Sequence, residues 1–218
     1  IETSRPINID HESRYNFYSS FGRPLKVIHS RFTINANGTL TNTQNLIDSE
    51  LTDLNRWSRT GGITISNMNS EVLEYNFGAE LTFTDSYYKV NDALNQNTVF
   101  HNYFADATLT LWKKWKVQGS YNYNLYTSSA FAQNQSLPLM KASISRFILP
   151  KDRGQIKLSI FDVLDENRGL SRTSDINYIE EVRTNSIGRY VMLSFVYSIR
   201  GPGGDPQLGG MRMMGPRH

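Results

Sequence analysis

The chain has 218 residues, 39% of them hydrophobic, with no cysteine and with 23 Lys and Arg against 20 Asp and Glu. The +3 balance is spread without a block of like charge, so nothing in it asks for nucleic acid, and disulfide and thiolate chemistry are excluded. A mean hydropathy of −0.47 and the lack of any apolar run of about 18 residues rule out a spanning helix, but not spanning strands with one wet face.

The chain opens on "IETSRPINID", with neither an initiator Met nor a basic and apolar leader, and is expected to be a mature or cut piece. Strands then follow one another with turns of two alternating kinds. Tyr15 to Phe21 leads into "GRPLKVIHS", Arg31 to Thr43 into the long polar "QNLIDSELTDLNR", and Trp57 to Ser66 into the tight "NMNSE". Leu73 to Asp85 precedes "SYYKVNDALNQN", Val99 to Trp112 the two-lysine turn "KK", and Trp115 to Thr127 "SSAFAQNQS". Pro138 to Leu149 turns through "PKDR", Gly154 to Val163 opens the longest loop, Leu164 to Arg189, and Tyr190 to Ile199 closes a set of nine.

The stretch "LEYNFGAELTFTD" shows the period: Leu73, Tyr75, Phe77, Ala79, Leu81 and Phe83 share one face, and Glu74, Asn76, Gly78, Glu80, Thr82 and Thr84 the other. "WKVQGSYNYNLY", "RYVMLSFVYSI" and "RFTINANGTL" alternate likewise. A β-sandwich also alternates, but its strands cluster near 5 to 6 residues, whereas several segments here run to about 10 to 13, the span of a tilted bilayer-crossing strand. Trp112 and Trp115 flank the lysine turn while Trp57, Tyr87, Tyr88, Phe100 and Tyr126 lie near the long loops, which implies two aromatic belts. The fold expected is all-β: an antiparallel transmembrane β-barrel portion of about nine meander strands, with short periplasmic turns and long extracellular loops, belonging to a larger barrel.

On that reading Tyr75, Phe77, Leu81 and Phe83 face lipid, and Arg31, Glu74, Glu80, Asp106, Lys116, Lys141 and Lys157 face the interior, either as a mixed-sign network or each hydrated by itself. No enzyme is expected: there is no Ser or Cys nucleophile motif, and the "GPGG" at Gly201 follows the last strand instead of opening a helix. His11, His29, His101 and His218 have no ligand spacing, so neither a metal nor a cofactor is expected. Asp162, Asp165 and Glu166 cluster at a strand end, where they are read as a cation site, as paired carboxylates or, more simply, as solvated loop charge.

Gln135 to Ile199 resembles the C-terminal end of Bacteroidetes-type outer-membrane β-barrel proteins related to TonB-dependent receptors. The likeness lies in Phe161-Asp162-Val163-Leu164, Ser171-Arg172-Thr173, Asn177-Tyr178-Ile179-Glu180-Glu181, Arg183-Thr184-Asn185 and Gly188-Arg189-Tyr190, and it weakens back to about Trp57. Asp165 stands where the family often has Asn, and the chain runs on past the last strand through "RGPGGDPQLGGMRMMGPRH". Two regions follow: residues 1–199 as barrel, and residues 200–218 as a flexible periplasmic tail.

The resemblance implies a complete barrel of about 22 strands with a plug and a periplasmic energy-coupling segment before it. It implies the bacterial outer membrane as location, and its lipid, the rest of the barrel, TonB-type coupling and a surface lipoprotein or partner protein as partners. Arg172, Asn177, Tyr178, Glu180, Glu181 and Arg183 become surface-loop residues that cap the mouth or touch ligand. The leading function is ligand uptake through a TonB-dependent receptor. An outer-membrane scaffold whose loops bind a protein, and a soluble carbohydrate-binding β-sandwich, are the alternatives.

Overall fold

The computed structural model describes residues 11–47, 50–67, 70–129, 134–167, 169–174, 179–185 and 187–198. Among them there is no α-helix, only three single-turn 3-10 segments at Lys26–Ile28, Asp92–Leu94 and Pro150–Asp152. The strands are β1 Ser13–Leu25, β2 Ser30–Ile47, β3 Glu50–Asn67, β4 Leu73–Tyr88, β5 Gln96–Leu111, β6 Trp115–Ser128, β7 Gln135–Ile148, β8 Gly154–Phe161, β9 Leu170–Ser174, β10 Ile179–Arg183 and β11 Tyr190–Tyr197. Nine of them form one open antiparallel sheet in the order β1-β2-β3-β4-β5-β6-β7-β8-β11, and β9 and β10 make a separate hairpin. Every neighbour but β11 is also the next strand in sequence, so the sheet is a meander of simple hairpins.

The register carries the alternation of each strand across the sheet. One row on the apolar side runs Phe32, Ile65, Phe77, Ala105, Tyr121 and Met140; the adjacent polar row runs Arg31, Ser66, Asn76, Asp106, Ser120 and Lys141. Strand β4 is 16 residues long. Leu73 to Phe83 alone rises about 34 Å at about 3.4 Å per residue, which a tilt of about 40° converts into an apolar band about 26 Å tall.

Among the described residues no second layer covers either side. Among the described residues the buried hydrophobic side chains are Leu54 and Tyr88, while Phe77 is 42% exposed and Leu193 72%. The fold therefore has two surfaces and scarcely a core, and hydrophobic burial within the chain cannot be what holds the apolar side.

Three details differ from the sequence expectation. The segment "QNLIDSELTDLNR" is not a loop: β2 runs to Ile47 and β3 starts at Glu50, with Thr43 opposite Leu54 and Leu46 opposite Leu51. A strand that projects beyond the apolar band meets water on both faces, so its composition is that of a loop while its hydrogen bonds are those of a sheet. The lysine turn is centred one residue earlier, since Trp112 and Lys113 both take positive φ (49° and 58°) and Lys114 N–H closes on Leu111 O at 3.1 Å. Trp112 thus ends as an exposed turn residue and not a strand residue. The region Leu164 to Arg189 holds the β9–β10 hairpin.

Pro138 inside β7 has a simple reason. It pairs with Tyr123 on the β6 side, but β8 pairs with β7 only from Ala142 onward, so the other side of Pro138 needs no N–H. The tail 200–218 lies outside the described residues, as do Ile199, Asn177 and Tyr178.

Candidate functional site: the two faces of the sheet

The polar face brings six of the seven predicted interior charges into the half of the sheet nearer the short turns. Arg31, Asp106 and Lys141 share one cross-sheet row. Glu74 lies in the next, with Thr108, Gln118, Ser143 and Ser159, and Lys116 and Lys157 share the third through Ser145. Glu80 stands apart, opposite Gly62 and Asn102. The central part of this patch lines a shallow groove of about 630 Å³ whose walls include Glu74, Asp106, Gln118, Lys141 and Lys157.

No ion pair joins these seven residues to one another. Asp106 and Lys141 are two strands apart, about 10 Å at the usual strand spacing, with Ser120 between them. The lysines find neutral partners instead: Lys157 Nζ donates to Gln118 Oε1 at 3.1 Å, where Ser143 Oγ also donates at 3.3 Å. Lys141 lies over the Phe161 ring at 6.0 Å and Lys116 over Phe147 at 5.7 Å. Below them Gln155 donates to the buried Ser145 hydroxyl at 3.0 Å. This surface is polar, charged in both signs and accessible from one side, which suits a wet wall.

At the other end of β8 the chain leaves the sheet through a bulge. Ala142 pairs with Ile160, but Val163 N–H donates to Met140 O at 2.8 Å, so three steps on one strand oppose two on the other. The extra residue is Asp162, at φ 51°, whose carboxylate accepts from the N–H groups of Glu166 (3.2 Å) and Asn167 (3.0 Å). Asp165 then accepts from Arg189 N–H at 3.1 Å and ion-pairs with its guanidinium at 3.6 Å, which ties the two ends of the long connection together. The acidic cluster is thus engaged in its own turn. In the hairpin above, the register sets Arg172 opposite Glu181, Glu180 opposite Thr173 and Arg183 opposite Leu170.

Residues 63–197 match the family model described as "Outer membrane protein beta-barrel family". The chain belongs to that family. No curated protein and no solved structure matches it. Membership places the sheet in the bacterial outer membrane, a lipid environment in which the apolar face is the one that hydrocarbon favours.

Seen as an outer-membrane barrel wall, the sheet carries charged residues on its lipid side that sequence reasoning passes over, Arg23 opposite Phe32 in β1 among them. Arg59 lies over the Trp57 ring at 4.4 Å and ion-pairs with Asp85, at the long-loop end of the band. Arg146, at the short-turn end, lies over Trp115 at 5.2 Å. The signal is legible in hindsight: alternation alone puts Arg59 two residues from Trp57 on the same face, and Arg146 on the face of Ile144 and Ile148.

Proposed function

We propose that this chain is the C-terminal wall of a Bacteroidetes-type TonB-dependent uptake barrel, with the polar face lining its lumen, the short turns in the periplasm and the long connections outside the cell. The observation that carries the reading is the polar face itself. In a small closed barrel the inward side chains pack together, whereas here Glu74, Asp106, Lys141 and Lys157 sit in an open groove without pairing. Wet interior charge that forms no ion pairs suits a wide lumen occupied by solvent and a movable plug. The two end strands of the sheet, β1 and β11, argue the same way, because an unpaired edge in hydrocarbon leaves backbone groups unsatisfied at several kcal/mol each. The resemblance of Gln135 to Ile199 to the closing strands of such receptors supplies TonB-type coupling and a surface lipoprotein as partners.

The experiment is a deletion strain. Growth medium is profiled for solutes that the parent depletes and the deletion does not, with and without a protonophore. At least one solute should remain in the deletion medium, and the protonophore should have the same effect on the parent without abolishing surface binding. Identical depletion profiles, together with loss of a protein from the cell surface, would replace uptake by the scaffold role.

A further inference from the structure

The lipid face ends at the short turns in a basic corner whose arginines form no ion pair among the described residues. Arg146 stands in register with Trp115 and Ile156, all three on the lipid face. Unlike Arg59 at the opposite end of the band, which has Asp85, Arg146 has no ion-pair partner among the described residues. An arginine presented to acyl chains without a counter-ion is costly unless the membrane supplies one.

A second observation lies beside it. Leu149, Pro150, Arg153 and Tyr197 line a cleft of about 340 Å³ at the β7–β8 turn. Arg153 Nε is buried there with no hydrogen-bond acceptor. Tyr197 pairs with Gly154 and so belongs to the lipid face. Arg153 lies three residues before Ile156, the partner of Arg146, or about 10 Å along the strand. Phe147 N–H donates to Lys114 O at 2.8 Å, which holds the turn carrying Lys113 and Lys114 against the same corner. Above the corner, Ile144, Ile156, Leu158 and Leu193 stand 41%, 42%, 46% and 72% exposed, a bed for acyl chains.

We propose that this corner is a binding site for an anionic glycerophospholipid, with Arg146 and Arg153 clasping the headgroup phosphate and the acyl chains running up the β7–β8–β11 face. A guanidinium offers a planar fork of donors that matches phosphate oxygens, and the Arg153 guanidinium has an Nε left without an acceptor among the described residues. A soluble acidic partner fits less well, because Arg146 lies on the side that meets hydrocarbon. The choice of glycerophospholipid over the phosphates of lipopolysaccharide rests on the proposed topology, in which the short turns meet the periplasmic leaflet.

The test uses the full chain extracted from outer membranes in detergent, with phosphatidylglycerol, phosphatidylethanolamine and lipid A titrated separately and bound lipid counted by native mass spectrometry. Phosphatidylglycerol should bind most tightly. Arg146→Gln with Arg153→Gln should weaken it about 30-fold, at about fivefold per basic residue near an anionic surface, while Arg59→Gln should leave it unchanged. Should the double variant fail to fold, each single substitution should weaken binding about fivefold, and unchanged affinity in both overturns the site. An equal loss in Arg59→Gln overturns it as well. Tighter binding of lipid A with the same dependence on Arg146 and Arg153 overturns the glycerophospholipid and the topology beneath it, but not the corner as a phosphate site.

Discussion

Gly78 occupies a place in β4 where no side chain fits: a Cβ there would come within 2.4 Å of Ile63 O and 2.7 Å of Phe104 Cζ. The first of these is the backbone of a neighbouring strand and cannot yield, so Gly78→Ala should destabilise the folded barrel by about 1–3 kcal/mol. Gly61, with nothing within 4 Å of its would-be Cβ, should tolerate the same change. Urea midpoints read from the heat-modifiable band on gels check this, and matching midpoints for the two variants would defeat it. The sequence does not distinguish these glycines, because crowding at Gly78 comes from Ile63 and Phe104, which only the register brings alongside. For the same reason alternation is enough to put Lys116 and Lys141 on the polar face but not to seat them over Phe147 and Phe161, whose positions depend on how two hairpins align.

At the scale of the strand, the period of two was legible throughout, and the register agrees with it row by row, Phe32 to Ile65 to Phe77 to Ala105. What was not legible is where a strand stops, because polarity marks the edge of the bilayer and not the end of hydrogen bonding. The extension of β2 and β3 to Ile47 and Glu50 is the clear case. The faces themselves lend themselves to a paired test on adjacent residues of β4. Phe77→Arg puts a cation on the lipid side near the middle of the band, at a cost of about 2–4 kcal/mol, whereas Asn76→Arg adds the same charge to a face that already holds Asp106 beside it. Folded yield in the outer membrane should fall sharply for the first and little for the second. Equal yields would mean that the assignment of the two faces is wrong.

Over the whole molecule, the proposed lumen, the long-loop surface and the basic corner depend on one another through a single choice, which end of the sheet is outside. Simple hairpins force successive connections to opposite ends, so one accessibility measurement orients every loop. Two positions suit it. Asn185, exposed in the connection between β10 and β11, lies at the long-loop end, and Lys114, exposed in the β5–β6 turn, lies at the other. Cysteine at position 185 should react with a membrane-impermeant thiol reagent on intact cells, and cysteine at position 114 only after the outer membrane is opened, since the chain has no native cysteine to confuse the readout. The reaction at position 185 should be slowed by its neighbourhood, because the Asp165–Arg189 clasp and the Thr184 N–H to Gly169 O bond at 2.8 Å hold the base of this connection close to the sheet. Labelling in the reverse order would turn the long connections toward the periplasm. It would also place Arg146 and Arg153 in the leaflet of lipopolysaccharide, so that the corner would face a different phosphate.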